Sequence, residues 1–470
     1  MIYVRTCAYN AEKTLERAIE SILHQTHEEF TYYILDNGST DKTREIIQRY
    51  AEQDKRIVPF YSDVNFNLED NYDFWSIYYS LLDGDYFCML DADDAYESTF
   101  LEEALQMITD YDLDIVMCGS MMMNMETWTP IKNQTLSRDM VLKSNDAFGA
   151  AFSFLYWNLR AMWGKLYSAK AAKFPYTDVL GMPEWYPYAY GGDTVNVFAS
   201  VEMADGIGII GKALHYYAIS NKTVSYRWLE GREKSAPLLF NKAEELLMKK
   251  CSKVSERNYR VLYGVYFHAV NDTLHILFGS DLEAERKVNL AREIITHPIT
   301  QKMFGEQFDV SLQERSEFFV YTVFQILSLC LKENHISYTV LEEIFATINR
   351  DAVQLLTKES FAWYMKKCPM VVQNVVLRKY EEAVNELLVF VNQKGTNIKV
   401  DFPYVLGQQL SALQGAEQKY IFFSKKLIQW YIVNRQIERA KMELEEWSAL
   451  LPDDKDIQDL CMLCDMRQSR

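Results

Sequence analysis

Three carboxylates, Asp91, Asp93 and Asp94, crowd into four residues of this 470-residue chain, with only Ala92 between them. They follow directly on an apolar run, Tyr86-Phe87-Cys88-Met89-Leu90. Carboxylates this close repel one another. The repulsion is tolerable where they are solvated, cap a turn or are neutralised by a divalent cation. The apolar run suits a buried strand, whose end would project hard oxygen ligands beyond a sheet edge. Farther along, Asp193 follows Gly191-Gly192 and precedes the apolar Val195, Val197 and Phe198. A carboxylate there suits a helix cap. His215 lies among tyrosines, where an imidazole either packs or joins a metal shell.

The elements that must position these groups are legible in order. Residues 2–7 read as a strand, broken at Ala8-Tyr9-Asn10, with Asn10 a helix N-cap. Leu15, Ala18, Ile19, Ile22 and Leu23 repeat at helical spacing. Residues 30–35 form a second strand, ending in the turn-rich Asp36-Asn37-Gly38-Ser39-Thr40-Asp41. A helix marked by Ile46, Ile47 and Tyr50 and a strand at 57–61 follow. This alternation is that of a parallel α/β sheet. Residues 74–82 look helical. Thr99 and Glu102 make a capping box for a helix to about residue 109. Residues 114–118 and 206–213 read as further strands. Ligands of open parallel sheets bind beyond the carboxyl ends of the strands. Tyr9-Asn10, Asp36-Asn37 and Asp91 to Asp94 all sit at such ends.

A formal net charge of −17 argues against a nucleic-acid partner and against a purely electrostatic grip on anionic membrane. With 49% hydrophobic and 24% charged residues the composition is that of a globular protein. No apolar stretch is long enough to span a bilayer. The start is strand-like rather than leader-like, so the expected place is the cytoplasm or the inner face of the membrane. The eight cysteines are scattered and read mostly as reduced core thiols. Cys461 and Cys464 form an isolated CxxC without a second ligand pair. Near residue 232 the pattern changes. Residues 1–232 are expected to be an α/β domain and 233–470 an all-helical one. A hairpin at 415–467 is of tetratricopeptide type, although no clean 34-residue period is present.

Three segments together resemble the family 2 glycosyltransferases of GT-A fold: CAYNAEKTLERAIESILHQT from Cys7, ILDNGSTDKT from Ile34 and GDYFCMLDADD from Gly84. Weaker likeness continues through WGKLY from Trp163 and GGDTVNVF from Gly191. The resemblance covers about the first 230 residues. It implies a mixed, mostly parallel sheet flanked by helices, followed here by the separate all-α part.

The resemblance also implies roles. Asp91-Ala92-Asp93 matches the family's Asp-x-Asp motif. Asp93, with Asp91, is expected to hold Mn2+ or Mg2+; Asp91 and Ala92 would also meet the nucleotide, Asp91 through its ribose or a metal-bound water. Asp94 would be a second ligand or a turn cap, and His215 an additional ligand or a diphosphate contact. Asp36 and Asn37 would meet the base, flanked by Tyr9 and the backbone of Cys7 and Ala8. Asp193 would be the base that activates the acceptor, with Glu184 in reserve. Lys165, Lys222 and Arg227 are candidates to close over the diphosphate. Trp157, Trp163, Trp185 and Tyr186 are candidates to stack on sugar rings. Three departures stand out: Asn37 replaces an acidic residue, Gly192 replaces a glutamate, and residues 64–75 lack an arginine or lysine.

The implied function is a metal-dependent, inverting transfer of a sugar from a nucleotide-diphosphate donor, UDP-linked by preference. The acceptor would be a glycan, lipid-linked or protein hydroxyl in glycan or cell-surface polymer synthesis. The helical half would shape the acceptor site, dock a partner or membrane surface, or mediate oligomerisation. A nucleotidyltransferase is disfavoured because the loop at 8–14 lacks the glycine-rich, arginine-containing sequence of that class. An inactive nucleotide-sugar-binding module with a helical partner-binding half is the alternative that Asn37 and Gly192 keep open.

Overall fold

The computed structural model describes residues 1–65, 72–75, 77–136, 138–172, 191–219, 227–303 and 436–468, with isolated positions between 322 and 432. Ten strands form one mixed sheet: β1 (Ile2–Ala8), β2 (Phe30–Asn37), β3 (Ile57–Ser62), β4 (Tyr86–Met89), β5 (Ala95–Tyr96), β6 (Ile115–Asn124), β7 (Pro130–Gln134), β8 (Met140–Leu142), β9 (Lys165–Ser168) and β10 (Ile207–Ile219). The spatial order is β3-β2-β1-β4-β9-β6-β10-β5, with β7 on β6 and β8 on β10. β3, β2, β1 and β4 run parallel. Their carboxyl ends therefore emerge at one edge, and the register pairs Ala8 with Asp36 and Arg5 with Met89. Two residues past Met89 stands Asp91, so the acidic run, the loop after β1 and the loop after β2 meet as expected.

Helix α1 (Leu15–Leu23) buries Leu15, Ala18, Ile19 and Ile22, and α2 (Thr43–Gln53) buries Ile46 and Ile47. These apolar stripes cover one face of the sheet. Asn10 does not cap α1. It sits at φ +49°, and its side-chain oxygen accepts from Thr40 N–H at 2.8 Å. Asn10 N–H donates to Ser39 Oγ at 3.0 Å, and Ala11 N–H to Thr43 Oγ1 at 2.8 Å. A local cap lost to a stitch between the loops after β1 and β2, which fixes both. Gly38, at φ +79°, lies where a Cβ would meet Val64 and Asn65 backbone at 2.7 Å. Only glycine suits that turn.

The segment expected to be helical at 74–82 is a short α3 (Tyr72–Trp75) and a 3-10 turn at Ile77–Ser80. Ahead of α4 (Phe100–Tyr111), Thr99 Oγ1 donates to Glu103 at 2.9 Å, while Glu102 accepts from Thr26. Glu103 thus replaces Glu102 as the partner of Thr99. β7, β8 and WGKLY as a strand were beyond the pattern of the sequence, as was α5 (Asn145–Leu155), whereas the strand expected at 206–213 is the first half of β10. Every residue of α5 from Ala147 onward is buried, because the sheet covers one side and helices the other. A helix enclosed on all sides carries no amphipathic stripe.

α6 (Gly192–Met203), α7 (Arg232–Cys251), α8 (Glu256–Gly279), α9 (Ala284–Thr296), α10 (Pro298–Met303), α11 (Ile437–Leu450) and α12 (Lys455–Gln468) complete the described elements. α11 and α12 form the described part of the hairpin expected at 415–467; nearly all of the expected helical stretch between residues 304 and 435 lies outside the described residues. One hydrophobic cluster runs from Phe87, Ile115 and Tyr167 of the sheet through α5 to Leu246, Leu274 and Trp447. It crosses residue 232 without a break. Trp447 of α11 meets Phe154 of α5 with ring centroids 6.5 Å apart. Arg257 of α8, fully enclosed, pairs with Glu443 and Glu446 of α11. It also donates to Gly149 O in α5 at 3.0 Å, beside Asn258 Nδ2 at 2.9 Å. Cys461 and Cys464 are free thiols on α12.

Candidate active site

β4 delivers the acidic run into a turn closed by Asp94 N–H donating to Asp91 O at 3.1 Å. Ligand atoms of Asp91, Asp93 and Asp94 lie within 4.8 Å of one another. The turn is held from several sides. Leu90 N–H donates to Arg5 O at 3.0 Å, and Thr6 Oγ1 to Leu90 O at 2.7 Å. Arg17 Nη2 donates to Asp93 O at 2.8 Å while its guanidinium lies 3.4 Å from the Trp128 ring centroid. Tyr96 OH bridges, donating to Met89 O at 2.5 Å and accepting from Gly164 N–H at 2.8 Å.

Asp91, Asp93 and Asp94 are not equivalent. Asp94 is wholly buried. Its Oδ1 accepts from Ala218 N–H at 2.7 Å and its Oδ2 lies 3.1 Å from His215 Nε2. Asp91 and Asp93 remain partly accessible. All three carboxyls are pushed above the usual range. Burial leads in each case; Asp94, Asp193 and Asp93 then add to it for Asp91, and Asp93 adds to it for Asp94. Arg5 opposes the shift at Asp91, as Arg17 does at Asp93 and Asp94. A site whose carboxylates are held together against their own repulsion is a fit for a divalent cation, with Asp91 and Asp93 offering the accessible oxygens.

His215 is fully buried on β10, paired in register with Ser120 of β6. Its Nδ1 is 3.1 Å from Ser120 Oγ, so both ring nitrogens are engaged within the protein. The Trp163 ring stacks on it, centroids 4.3 Å apart at 19°. Burial first, and then Lys165, lower its pKa to about 3, against the pull of Asp93. Burial thus disfavours the charged imidazole, and one proton is shared across the Nε2–Asp94 Oδ2 contact. The expectation of His215 as a metal ligand or diphosphate contact gives way to this: it holds the residue next to the candidate ligands.

Asp193 stands in the first turn of α6, not at its cap. The N-cap position is Gly191, at φ +109°, where a Cβ would come within 2.7 Å of Leu239 of α7. The cap reading of Asp193 is thereby removed. The side chain is open to solvent, yet the protein packed around it raises its pKa, against Lys165 and Arg5. Asp193 also contributes to the shift of Asp91, so the candidate base and the acidic turn share one electrostatic site. Lys165 is no surface cation. It is buried on β9, its Nζ donating to Ala161 O at 2.6 Å and Trp163 O at 3.2 Å, and burial lowers its pKa to about 7.

Around the loop after β2, Asp36 is buried with both oxygens engaged, accepting from Ser39 N–H at 3.1 Å and from Arg44 Nε at 2.7 Å. It organises its own loop rather than presenting a free carboxylate to a base. Asn37 is buried and donates to Asn65 Oδ1 at 2.9 Å. Tyr9 is exposed, Ala8 is buried, and Cys7, half-buried, has its thiol raised to about 12 by burial. Ala92 is half-buried in the turn, and Trp157 is exposed beside Arg160. Arg227 is exposed, and Lys222, Glu184, Trp185 and Tyr186 lie outside the described residues. Three contributors were missed in the sequence: Arg5, Arg17 and Ser120. Arg5 had a signal, a charge inside an apolar strand, which has to find compensation within the fold. Its guanidinium lies 5.3 Å from the Phe87 centroid and 5.5 Å from that of Phe74.

Residues 3–166 match the family model "Glycosyl transferase family 2". Among curated proteins the chain is similar to an uncharacterized glycosyltransferase of Haemophilus influenzae, 28% identical over 151 residues, which are 30% of this chain and 46% of that one. It is 33% identical over 113 residues to the putative teichuronic acid biosynthesis glycosyltransferase TuaG of Bacillus subtilis, 23% of this chain and 42% of that one. The chain spans less than half the length of these curated relatives. A solved structure of S. aureus TarS 1-349 aligns with 86% of this chain and 94% of that one, at 13% identity and a TM-score of 0.38. Residues 3–166 are a family 2 glycosyltransferase domain.

Proposed function

We propose that the protein is a metal-dependent, inverting glycosyltransferase that takes a sugar from a nucleotide-diphosphate donor, UDP-linked by preference, to an acceptor hydroxyl. The observation that carries this reading is the cluster of Asp91, Asp93 and Asp94 just past the carboxyl end of β4, whose ligand atoms lie within 4.8 Å of one another. Asp91 and Asp93 would hold Mn2+ or Mg2+, which supplies charge stabilisation to the departing diphosphate when bound. Arg17 fixes the backbone of that turn. Tyr9, exposed just past the end of β1, offers a ring face to the base.

Asp193 is the base. Its raised pKa brings it nearer to a poised proton acceptor than an ordinary surface aspartate. As the acceptor oxygen bonds to the anomeric carbon, the bond from that carbon to the diphosphate oxygen breaks, and the hydroxyl proton passes to Asp193. A base acting on the acceptor, rather than a carboxylate attacking the sugar, gives inversion. The acceptor is a glycan, lipid-linked or protein hydroxyl, and the helices after residue 232 are the surface on which it is bound. Among the described residues no helix is long and apolar enough to cross a membrane.

Nucleotide release from a panel of UDP-, GDP- and dTDP-sugars with Mn2+ tests the reading. Release from one donor class, abolished by Asp93→Ala and by Asp193→Asn, supports it. Donor binding without release from any of them in the presence of glycan and lipid-linked acceptors would favour a binding module.

A further inference from the structure

Asp94 is the buried member of the acidic turn, and β10 holds it twice. The Ala218 N–H takes one oxygen at 2.7 Å, and His215 Nε2 lies 3.1 Å from the other. Behind the imidazole, Ser120 Oγ sits 3.1 Å from Nδ1. Beside it, Trp163 stacks at 4.3 Å and itself stacks on Tyr217 at 5.0 Å. His215, Asp94 and Ser120 are all buried, so these bonds are not exchanged with water. Ser120, His215 and Asp94 thus form a chain of contacts from β6 through β10 to the residue next to Asp93.

We propose that His215 is a positioning residue of the donor site. By fixing Asp94 through Nε2 and by being fixed through Ser120 and Trp163, it sets the orientation of Asp91 and Asp93, and with it the affinity of the turn for a divalent cation and a nucleoside diphosphate. It touches neither ligand. The proposal rests on the reading of Asp91 and Asp93 as the cation site. Groups standing one step behind ligands in this way typically change metal affinity 10–100-fold when lost.

The experiment is calorimetric titration of the full chain with Mn2+ alone and with UDP in saturating Mn2+. His215→Phe keeps a ring for Trp163 but removes both nitrogens. His215→Gln places an amide nitrogen near the position of Nε2. Ser120→Ala removes only the outer bond and preserves the imidazole, should His215→Phe not fold. The expected result is a roughly tenfold loss of Mn2+ and UDP affinity in His215→Phe, a smaller loss of the same sign in Ser120→Ala, and recovery to within about threefold of the parent in His215→Gln. Unchanged affinity in a folded His215→Phe, or in Ser120→Ala where that is the folded variant, overturns the proposal, as does a His215→Gln loss equal to that of His215→Phe. Failure of the parent protein to bind Mn2+ or UDP at all overturns instead the cation-site reading on which the proposal stands.

Discussion

His215 Nε2 lies 3.1 Å from Asp94 Oδ2, joining residues 121 positions apart in the chain. This contact separates one buried member of the acidic turn from two that stay partly accessible. Asp94 is the buried anchor; Asp91 and Asp93, held beside it against their mutual repulsion, are the pair that a cation would relieve.

That division predicts opposite effects of one substitution on stability and on turnover. In the metal-free protein Asp93→Asn removes a charge that burial disfavours, and the thermal midpoint should rise by about 2 °C. Sugar transfer should fall by at least about 10³ through lost charge stabilisation of the leaving group. Differential scanning calorimetry in EDTA and donor turnover in Mn2+ check the two halves. A lower midpoint in EDTA would mean that the carboxylates are not strained against one another.

Asp193 is predicted to act on the chemical step alone. Asp193→Asn should lower kcat about 10²–10⁴-fold, the usual contribution of a general base, and leave donor affinity nearly unchanged. Single-turnover kinetics with the donor identified from the panel separates the two.

Lys165 predicts a pH effect of definite sign. Its charge pulls the pKa of Asp193 down, while the protein packed around the carboxylate pushes it up. Removing that charge leaves the upward push less opposed. In Lys165→Met the acidic limb of the kcat profile should therefore move to higher pH. Lys165 titrates near 7, so the difference between parent and variant should be fullest below pH 7 and shrink above it. A limb that moves to lower pH would contradict the assignment of Asp193 as the base.

The buried Arg257 predicts a large stability effect remote from the site. Arg257→Met leaves Glu443 and Glu446 enclosed without a counter-charge, at a cost of about 3–5 kcal/mol. Arg257→Met combined with Glu443→Leu and Glu446→Met should recover most of it. Chemical denaturation of the single and triple variants checks this. Recovery would show that the triad fixes how α11 seats on α5 rather than supplying net stability.

Much of the nucleotide half was legible because its patterns are local. Alternating apolar residues announced β1 to β4, and the spacing of Leu15, Ala18, Ile19 and Ile22 announced α1. Asp91, Asp93 and Asp193 could be singled out because acid beside a strand end or a glycine turn is informative without a partner. What failed was whatever depended on a distant partner. Asn10 and Thr99 carry cap-forming side chains that found better acceptors and donors elsewhere. The pairing of Asp36 with Arg44, and of His215 with Ser120 and Asp94, could not be read from the local sequence. α5 was hidden by being buried on every side. Gly192, a departure from the family pattern, proves to open α6 one residue before Asp193, where the chain turns from Gly191 into helix.

The central claim is a nucleotide site that works through a cation held by Asp91 and Asp93. Titration of UDP, GDP and dTDP into the full chain, in Mn2+ and again in EDTA, tests it most directly. One nucleoside diphosphate, UDP first, should bind in Mn2+, EDTA should weaken that binding at least tenfold, and Asp93→Ala should abolish the difference. Equal binding with and without the metal, or no binding of any of the three, would contradict it.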